Sequence, residues 1–305
     1  MTIFYFLPSV RSNSDYKDAL TSFCLILIEL LAFMYKSIHL TDMKYEVKQL
    51  TPFRLLSIYA YDAIKKGHNM FALIELDVTD IRQRLRSQRK EGHKTSFFGF
   101  LLSSIAKAIE DNKELNHIRC GKKLYYFDDV DIDTAIELKH NGISIPRKYV
   151  VRDAARKSME EITLEIEKAK TNWKESGITG EDDEWALRWI KLASMLPKWY
   201  LKFVFRRFSK NPFKIKQRFG TTYVTSVSGF TDVSGFAIPY IEGGNRPISF
   251  AIGSIVRKPG VVDSEIEIRE YLSLTICINH DLVDGAPAAR FVTRLKQRIE
   301  GSSYN

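Results

Sequence analysis

Near the carboxyl end, residues 265–279 read EIEIREYLSLTICIN, and Leu272, Leu274, Ile276 and Ile278 alternate there with Ser273, Thr275, Cys277 and Asn279. That period of two marks a strand with one apolar face. An apolar face of that length must be covered by a second layer of structure. The preceding sequence offers the covering elements. Thr51 followed by Pro52 is a helix start, and Leu55, Leu56, Tyr59, Ala63 and Ile64 continue at helical spacing. Residues 71–78 read as a strand and 80–89 as a basic helix. Thr95 or Ser96 opens another helix, with Phe98, Leu101, Leu102, Ile105 and Ile109 on one side. Two short strands are expected within 123–138 around an Asp-rich turn, and a third over 143–151. Ser158 and Glu161 form a capping box for a helix that turns Met159, Ile162, Ile166 and Ala169 inward. Residues 170–183 read as an exposed loop, 221–227 and 248–256 as strands, and Phe291, Leu295 and Ile299 mark a closing helix. Strands interleaved with helices predict one α/β or α+β domain around a single sheet, over residues 51–301, with 302–305 as a tail.

The chain has 305 residues, 45% of them hydrophobic, and a net charge of +9 from 46 Lys+Arg against 37 Asp+Glu. This excludes a wholly disordered, collagen-like or disulfide-rich class. Cys24, Cys120 and Cys277 are far apart and form no Cys/His cluster, so neither a zinc site nor a disulfide framework is expected, and a reducing cytoplasm is the default. Residues 1–50 read as an extension. Within it, 19–35 are apolar but interrupted by Glu29, short of the roughly 20 residues a spanning helix needs. A buried or interfacial helix, a membrane-associated one, and upstream translation with Met43 as the working initiator are the alternatives.

Residues 191–218 hold nine Lys/Arg and no Asp or Glu, interleaved with Trp199, Tyr200, Phe203, Phe205, Phe208 and Phe213. Three readings attach to this segment. It suits an anionic membrane surface. Arg206, Arg207, Lys210 and Lys214 suit an anion-attracting rim for a phosphorylated ligand. A helical insert whose aromatics dock on the domain while its cations stay in water is the structural alternative. Nucleic acid is not expected, because no recognised binding motif accompanies the charge.

The segment 279–291, NHDLVDGAPAARF, carries the chemistry. His280 follows the alternating strand directly, and Asp284 and Gly285 turn the chain into the closing helix. A rigid sheet can hold a histidine at a strand end while its imidazole projects into a cleft, where it can act as a general base near neutral pH.

That stretch, LSLTICINHDLVDGAPAARFVTRLKQRIEG, resembles the end of the dihydrolipoamide acyltransferase catalytic domain of 2-oxoacid dehydrogenase complexes. Chloramphenicol acetyltransferase, a more distant relative, shares the H-x-x-x-D-G motif. The segments 76–79, 114–116, 152–158 with 160–162, 220–226 and 252–259 resemble the same domain in the same order. The likeness covers about 51–301 and departs from it over 178–219. It implies a two-layer α/β sandwich, chloramphenicol acetyltransferase-like, with a mixed sheet packed against helices. It also implies homotrimers with active sites at subunit interfaces.

His280 would match the catalytic base, taking the proton from a thiol or hydroxyl acceptor that attacks an acyl thioester. The oxyanion would meet a serine-type hydroxyl in a T-x-S-N-type strand, a position that falls on Thr225, with Ser226 next. Asp284 would be structural, partnered by Arg54. One departure is local: the family reads D-H-R where this chain has Asn279-His280-Asp281, so a carboxylate stands beside the base. No lipoyl or peripheral subunit-binding domain is read in residues 1–50. The expectation is therefore a free-standing acyltransferase using coenzyme A thioesters, with no metal and no lipoyl group on this chain. Its partners are small-molecule donors and acceptors. Transfer with lipoyl groups of another protein, and a catalytically silent trimeric scaffold, are the alternatives.

Overall fold

The computed structural model describes residues 21, 24–32, 46–63, 67–140, 143–175, 188, 190–227, 234–239 and 245–301. The chain divides into two compact units, Met1–Leu50 and Thr51–Asn305. In the first, residues 24–32 are helical and all exposed, Leu25, Ile28 and Leu31 among them. No helix among the described residues is long and apolar enough to cross a membrane.

In the second unit, α1 (Pro52–Ala63) leads to β1 (Asn69–Asp77), α2 (Thr79–Lys90) and α3 (Phe97–Glu110). A short hairpin follows, β2 (His117–Cys120) with β3 (Lys123–Tyr126), then the pair β4 (Ile132–His140) and β5 (Ile143–Val151). Next come α4 (Met159–Glu175), α5 (Lys198–Phe208), α6 (Pro212–Phe219) and β6 (Thr222–Ser226). The chain closes with β7 (Ile248–Val262), β8 (Glu265–Asn279) and α7 (Gly285–Gly301). Six strands form one mixed sheet in the order β1-β8-β7-β6-β4-β5, with β6 parallel to both β4 and β7.

Local chemistry sets these limits. Ser96 caps α3 by accepting from the Gly99 N–H (2.9 Å). Ser158 and Glu161 exchange hydrogen bonds of 2.8 and 3.1 Å at the start of α4, satisfying N–H groups the helix would otherwise leave bare. Helix α4 runs on to Glu175, so the expected loop from residue 170 begins later; its stretch 176–183 lies outside the described residues.

The apolar side of β8 behaves as its pattern requires. Leu272, Leu274, Ile276 and Ile278 are buried with Phe250, Val224 and Ile132 from neighbouring strands. Over them lie Leu102, Ile105 and Ile109 of α3, Ile162 of α4, and Phe291, Leu295 and Ile299 of α7. The opposite side departs from the half-buried expectation. Ser273, Thr275, Cys277 and Asn279 are buried too. Strand β8 is paired on both sides, by β1 and β7, and residues 234–239 lie over the sheet beside it. There the Gly235 N–H donates to Ser254 Oγ (2.9 Å), and a Cβ on Gly253 would stand 2.6 Å from the Gly235 carbonyl. The polar half of the alternation therefore faces a covered cleft rather than open water.

Candidate active site

His280 is the first residue past β8, and the loop carrying it is held almost wholly by backbone. The His280 N–H donates to the His68 carbonyl (2.7 Å), and Asn279 donates to Pro247 (2.8 Å). The Asn279 carbonyl accepts from both Leu282 and Val283, while its side-chain oxygen accepts from Asp281 N–H (3.0 Å). His280 is exposed at the end of this rigid frame.

Asp281 does not serve His280. Its carboxylate bonds to His68 Nδ1 (2.8 Å), with an Arg119 guanidinium nitrogen 3.7 Å from its other oxygen. The hydrogen bond from His68 is the main cause holding the Asp281 carboxyl below its usual range. Register explains the meeting. Asn69 pairs with Asn279, so His68 lies directly across from His280. Nothing in the sequence singled out His68, because the pairing joins segments more than 200 residues apart.

Asp284 is exposed just before α7, and its carbonyl accepts from Ala288 N–H (3.1 Å). The expected Arg54–Asp284 pair is not formed. Arg54 stands exposed in the first turn of α1, its backbone N–H donating to Thr51 Oγ1 (3.3 Å). Gly285 opens α7 without a positive φ, and a side chain there would meet open space, so neither backbone nor packing demands glycine.

A cleft of about 530 Å³ runs along the polar side of the sheet, from Asn279 and Cys277 on β8 past Ser249 to Thr225 on β6. Thr225 lines it; Ser226, the next residue, does not. At its far end Asp133 is buried and met by Lys148 (3.1 Å) and Arg246 (3.7 Å), with the Lys148 ammonium 3.5 Å above the Phe219 ring. These charged residues had no sequence signal, since only strand pairing assembles them. Burial pushes the Cys277 thiol up to about 12, against a weaker opposing hydrogen bond from Ser249, so this cysteine is a wall group and not a nucleophile.

Thr225 and His280 do not converge within one chain. Thr225 pairs with Ala251, and Ala251 with Thr275. His280 lies five residues further along β8, about 16 Å of strand. Both groups would have to stand within about 3 Å of one reacting centre. The basic rim residues are elsewhere again. Arg206 and Arg207 on α5, Lys210 after it and Lys214 on α6 are exposed, and none lines the cleft.

The comparisons agree with this architecture. The profile of the 2-oxoacid dehydrogenases acyltransferase (catalytic domain) family matches residues 69–184 and 206–304. The lipoamide acyltransferase component of the Bacillus subtilis (strain 168) branched-chain alpha-keto acid dehydrogenase complex is 22% identical over 238 residues, covering 75% of this chain and 46% of that protein. The Arabidopsis thaliana mitochondrial dihydrolipoyllysine-residue succinyltransferase component of 2-oxoglutarate dehydrogenase complex 1 is 25% identical over 249 residues, 78% of this chain and 44% of that one. The chain thus spans about half the length of the curated relatives it matches. Among solved structures, Azotobacter vinelandii dihydrolipoamide acetyltransferase shares the fold, with TM-score 0.59 at 17% identity, covering 86% of this chain and 93% of that one. With its profile matched over most of its length, the chain belongs to the 2-oxoacid dehydrogenase acyltransferase catalytic-domain family.

Proposed function

We propose that this chain is an acyltransferase that moves an acyl group from a coenzyme A thioester to a thiol, hydroxyl or amine acceptor. His280 acts as base and Thr225 as oxyanion donor. The observation that carries the reading is the presence on one sheet of an exposed, backbone-clamped His280 and a cleft whose wall presents Thr225. The imidazole takes the acceptor's proton as the acceptor's lone pair attacks the thioester carbon. The carbonyl electrons move onto oxygen, where the Thr225 hydroxyl donates to them. Collapse expels the thiolate, which recovers the proton from the imidazolium.

The distance between the two groups within one chain is the reason to place the site between copies, in a homotrimer. Apolar surface supports such an assembly: Val261, Ile266 and Ile268 at the β7–β8 tip are each about three-quarters exposed, and Phe71 and Leu73 on β1 about half. Three free cysteines suit a reducing compartment such as the cytoplasm. The names of the relatives favour a second reading, in which the acyl group is exchanged with a lipoyl group carried by another protein.

The test is thiol release from acetyl-coenzyme A by the full chain and by His280→Ala, with dihydrolipoamide, amines and alcohols as acceptors. Acceptor-dependent release lost in the variant supports the proposal, and a response to dihydrolipoamide alone selects the lipoyl reading. Equal, negligible rates from a folded trimer that does not bind coenzyme A would leave a scaffold.

A further inference from the structure

The family profile matches residues 69–184 and 206–304, so α1 and most of α5 lie outside the matched residues. These two helices pack on each other, with Lys198 Nζ 2.8 Å from Asp62 and 5.2 Å from the Tyr59 ring centre. Helix α5 turns Leu201, Phe205 and Phe208 inward, the first buried and the others half-buried. Its remaining aromatics do not follow. Trp199 is 71% exposed and Phe203 63%. Trp199, Phe203, Arg206 and Lys210 recur at i, i+4, i+7 and i+11, which puts them on one stripe, with Arg207 and Tyr200 at its border. Leu192, Met195 and Leu196 before α5 are exposed as well, whereas Phe53 at the start of α1 lines the cleft.

Two features of this surface point to the same occupant. The expectation that the aromatics dock while the cations stay wet fails for Trp199 and Phe203, which share the solvent with the cations. A large indole and a phenyl ring beside arginines and lysines match the headgroup boundary of a bilayer, where rings enter the acyl edge and cations meet anionic lipid. Charge agrees with shape: Lys202, Arg206, Arg207 and Lys210 carry no ion pair among the described residues, whereas Lys198 and Lys216 of the same segment are paired. A protein partner would need a matching acidic, aromatic-accepting face. A bilayer with anionic lipid needs nothing further.

We propose that the outward face of α5, with the segment just before it, docks this protein on anionic lipid bilayers. The docking face is separate from the acyl-transfer reading and stands without it. The helical segment 24–32, apolar apart from Glu29 and exposed throughout, is a second lipid-compatible surface on the other unit, so the test must separate the two.

The experiment is co-sedimentation of the full chain with vesicles of pure phosphatidylcholine and of phosphatidylcholine with about 30% phosphatidylserine, at low and high salt. Each cation near such a surface strengthens binding about fivefold, so Arg206→Glu with Arg207→Glu should lower partitioning at least about twentyfold. Trp199→Ser with Phe203→Ser should lower it at least about tenfold, and wild-type tryptophan emission should shift to the blue on binding. All four side chains are exposed, so the thermal midpoint of both variants should stay at the wild-type value. Equal binding to neutral and anionic vesicles, or none, overturns the proposal. So does anionic binding that ignores the charge reversal, which would assign it to residues 24–32. A particle that loses subunits when Trp199 and Phe203 become serine would show a second copy on this face and overturn it equally.

Discussion

Replacing Thr225 by valine removes one hydroxyl from the cleft wall and keeps the shape and β-branching of the side chain. The Thr225 hydroxyl makes no hydrogen bond among the described residues, so nothing in the protein loses a partner. The pairing of Thr225 with Ala251 is made by backbone and is indifferent to the change. The cost to folding should stay within about 1 kcal/mol. The cost to catalysis is of another order. A single donor aimed at a developing oxyanion contributes about 3 kcal/mol, and its loss lowers kcat by roughly 10² to 10³. That donor acts mainly after the carbonyl has become tetrahedral, so KM should move by less than about threefold. Ser226→Ala is the internal control. Ser226 points off the cleft, and its removal should leave kcat within about threefold of wild type. The assay is thiol release from acetyl-coenzyme A over a range of donor and acceptor concentrations, with thermal melts alongside. A Thr225→Val protein that keeps kcat, or a larger loss in Ser226→Ala, would refute the assignment of the hydroxyl.

Glu270 is buried and pushed up by that burial, but Arg86, Arg82 and Arg257 around it outweigh the effect and hold its carboxyl below the ordinary value. A carboxyl lowered on folding stabilises fully above its unfolded value, about 4.3, and loses that stabilisation as pH falls through the lower folded value. Urea midpoints should therefore fall more steeply below about pH 5 in the wild type than in Glu270→Gln, which should also be less stable at pH 7 by about 2 kcal/mol because two of its arginines are well solvated. Phe291, 1% exposed with its ring 6.2 Å from that of Phe250, should cost about 3–5 kcal/mol on truncation to alanine, read by denaturant unfolding. Gly220 ends α6 at φ +63°, with the Asp131 carbonyl 2.5 Å from where a Cβ would stand. Gly220→Ala should destabilise by at least about 1–3 kcal/mol in the same measurement.

Elements whose periodicity is local were legible from the chain. Strands β5 and β8 begin and end where the alternation does, and Ser96, Ser158 and Glu161 announce their helices by side-chain chemistry that reaches only three residues. Strand β7 was legible only to 256; pairing of Pro259 and Gly260 with Ile268 and Glu267, which lie on another strand, keeps it extended to Val262. Strand β2 is four residues long and leaves too short a pattern to see. His280 was legible as a site residue because its loop is contiguous. The company it keeps was not. Asp281 adjoins it in sequence yet turns to His68, and Asp133, Lys148 and Arg246 meet only once the sheet has closed. The aromatic insert held its own answer in its spacing, since the Leu201, Phe205 and Phe208 stripe differs from the Trp199 and Phe203 stripe by a third of a helical turn or more.

The register that keeps Thr225 and His280 apart has a genetic corollary. If each copy lends its histidine to one neighbour and its threonine to the other, a chain that has lost both spoils two sites out of a trimer's three, and so interferes with its intact partners. The reverse also holds. His280→Ala and Thr225→Val proteins, each crippled alone, would repair one another when unfolded together and reassembled at random, at about one site in four.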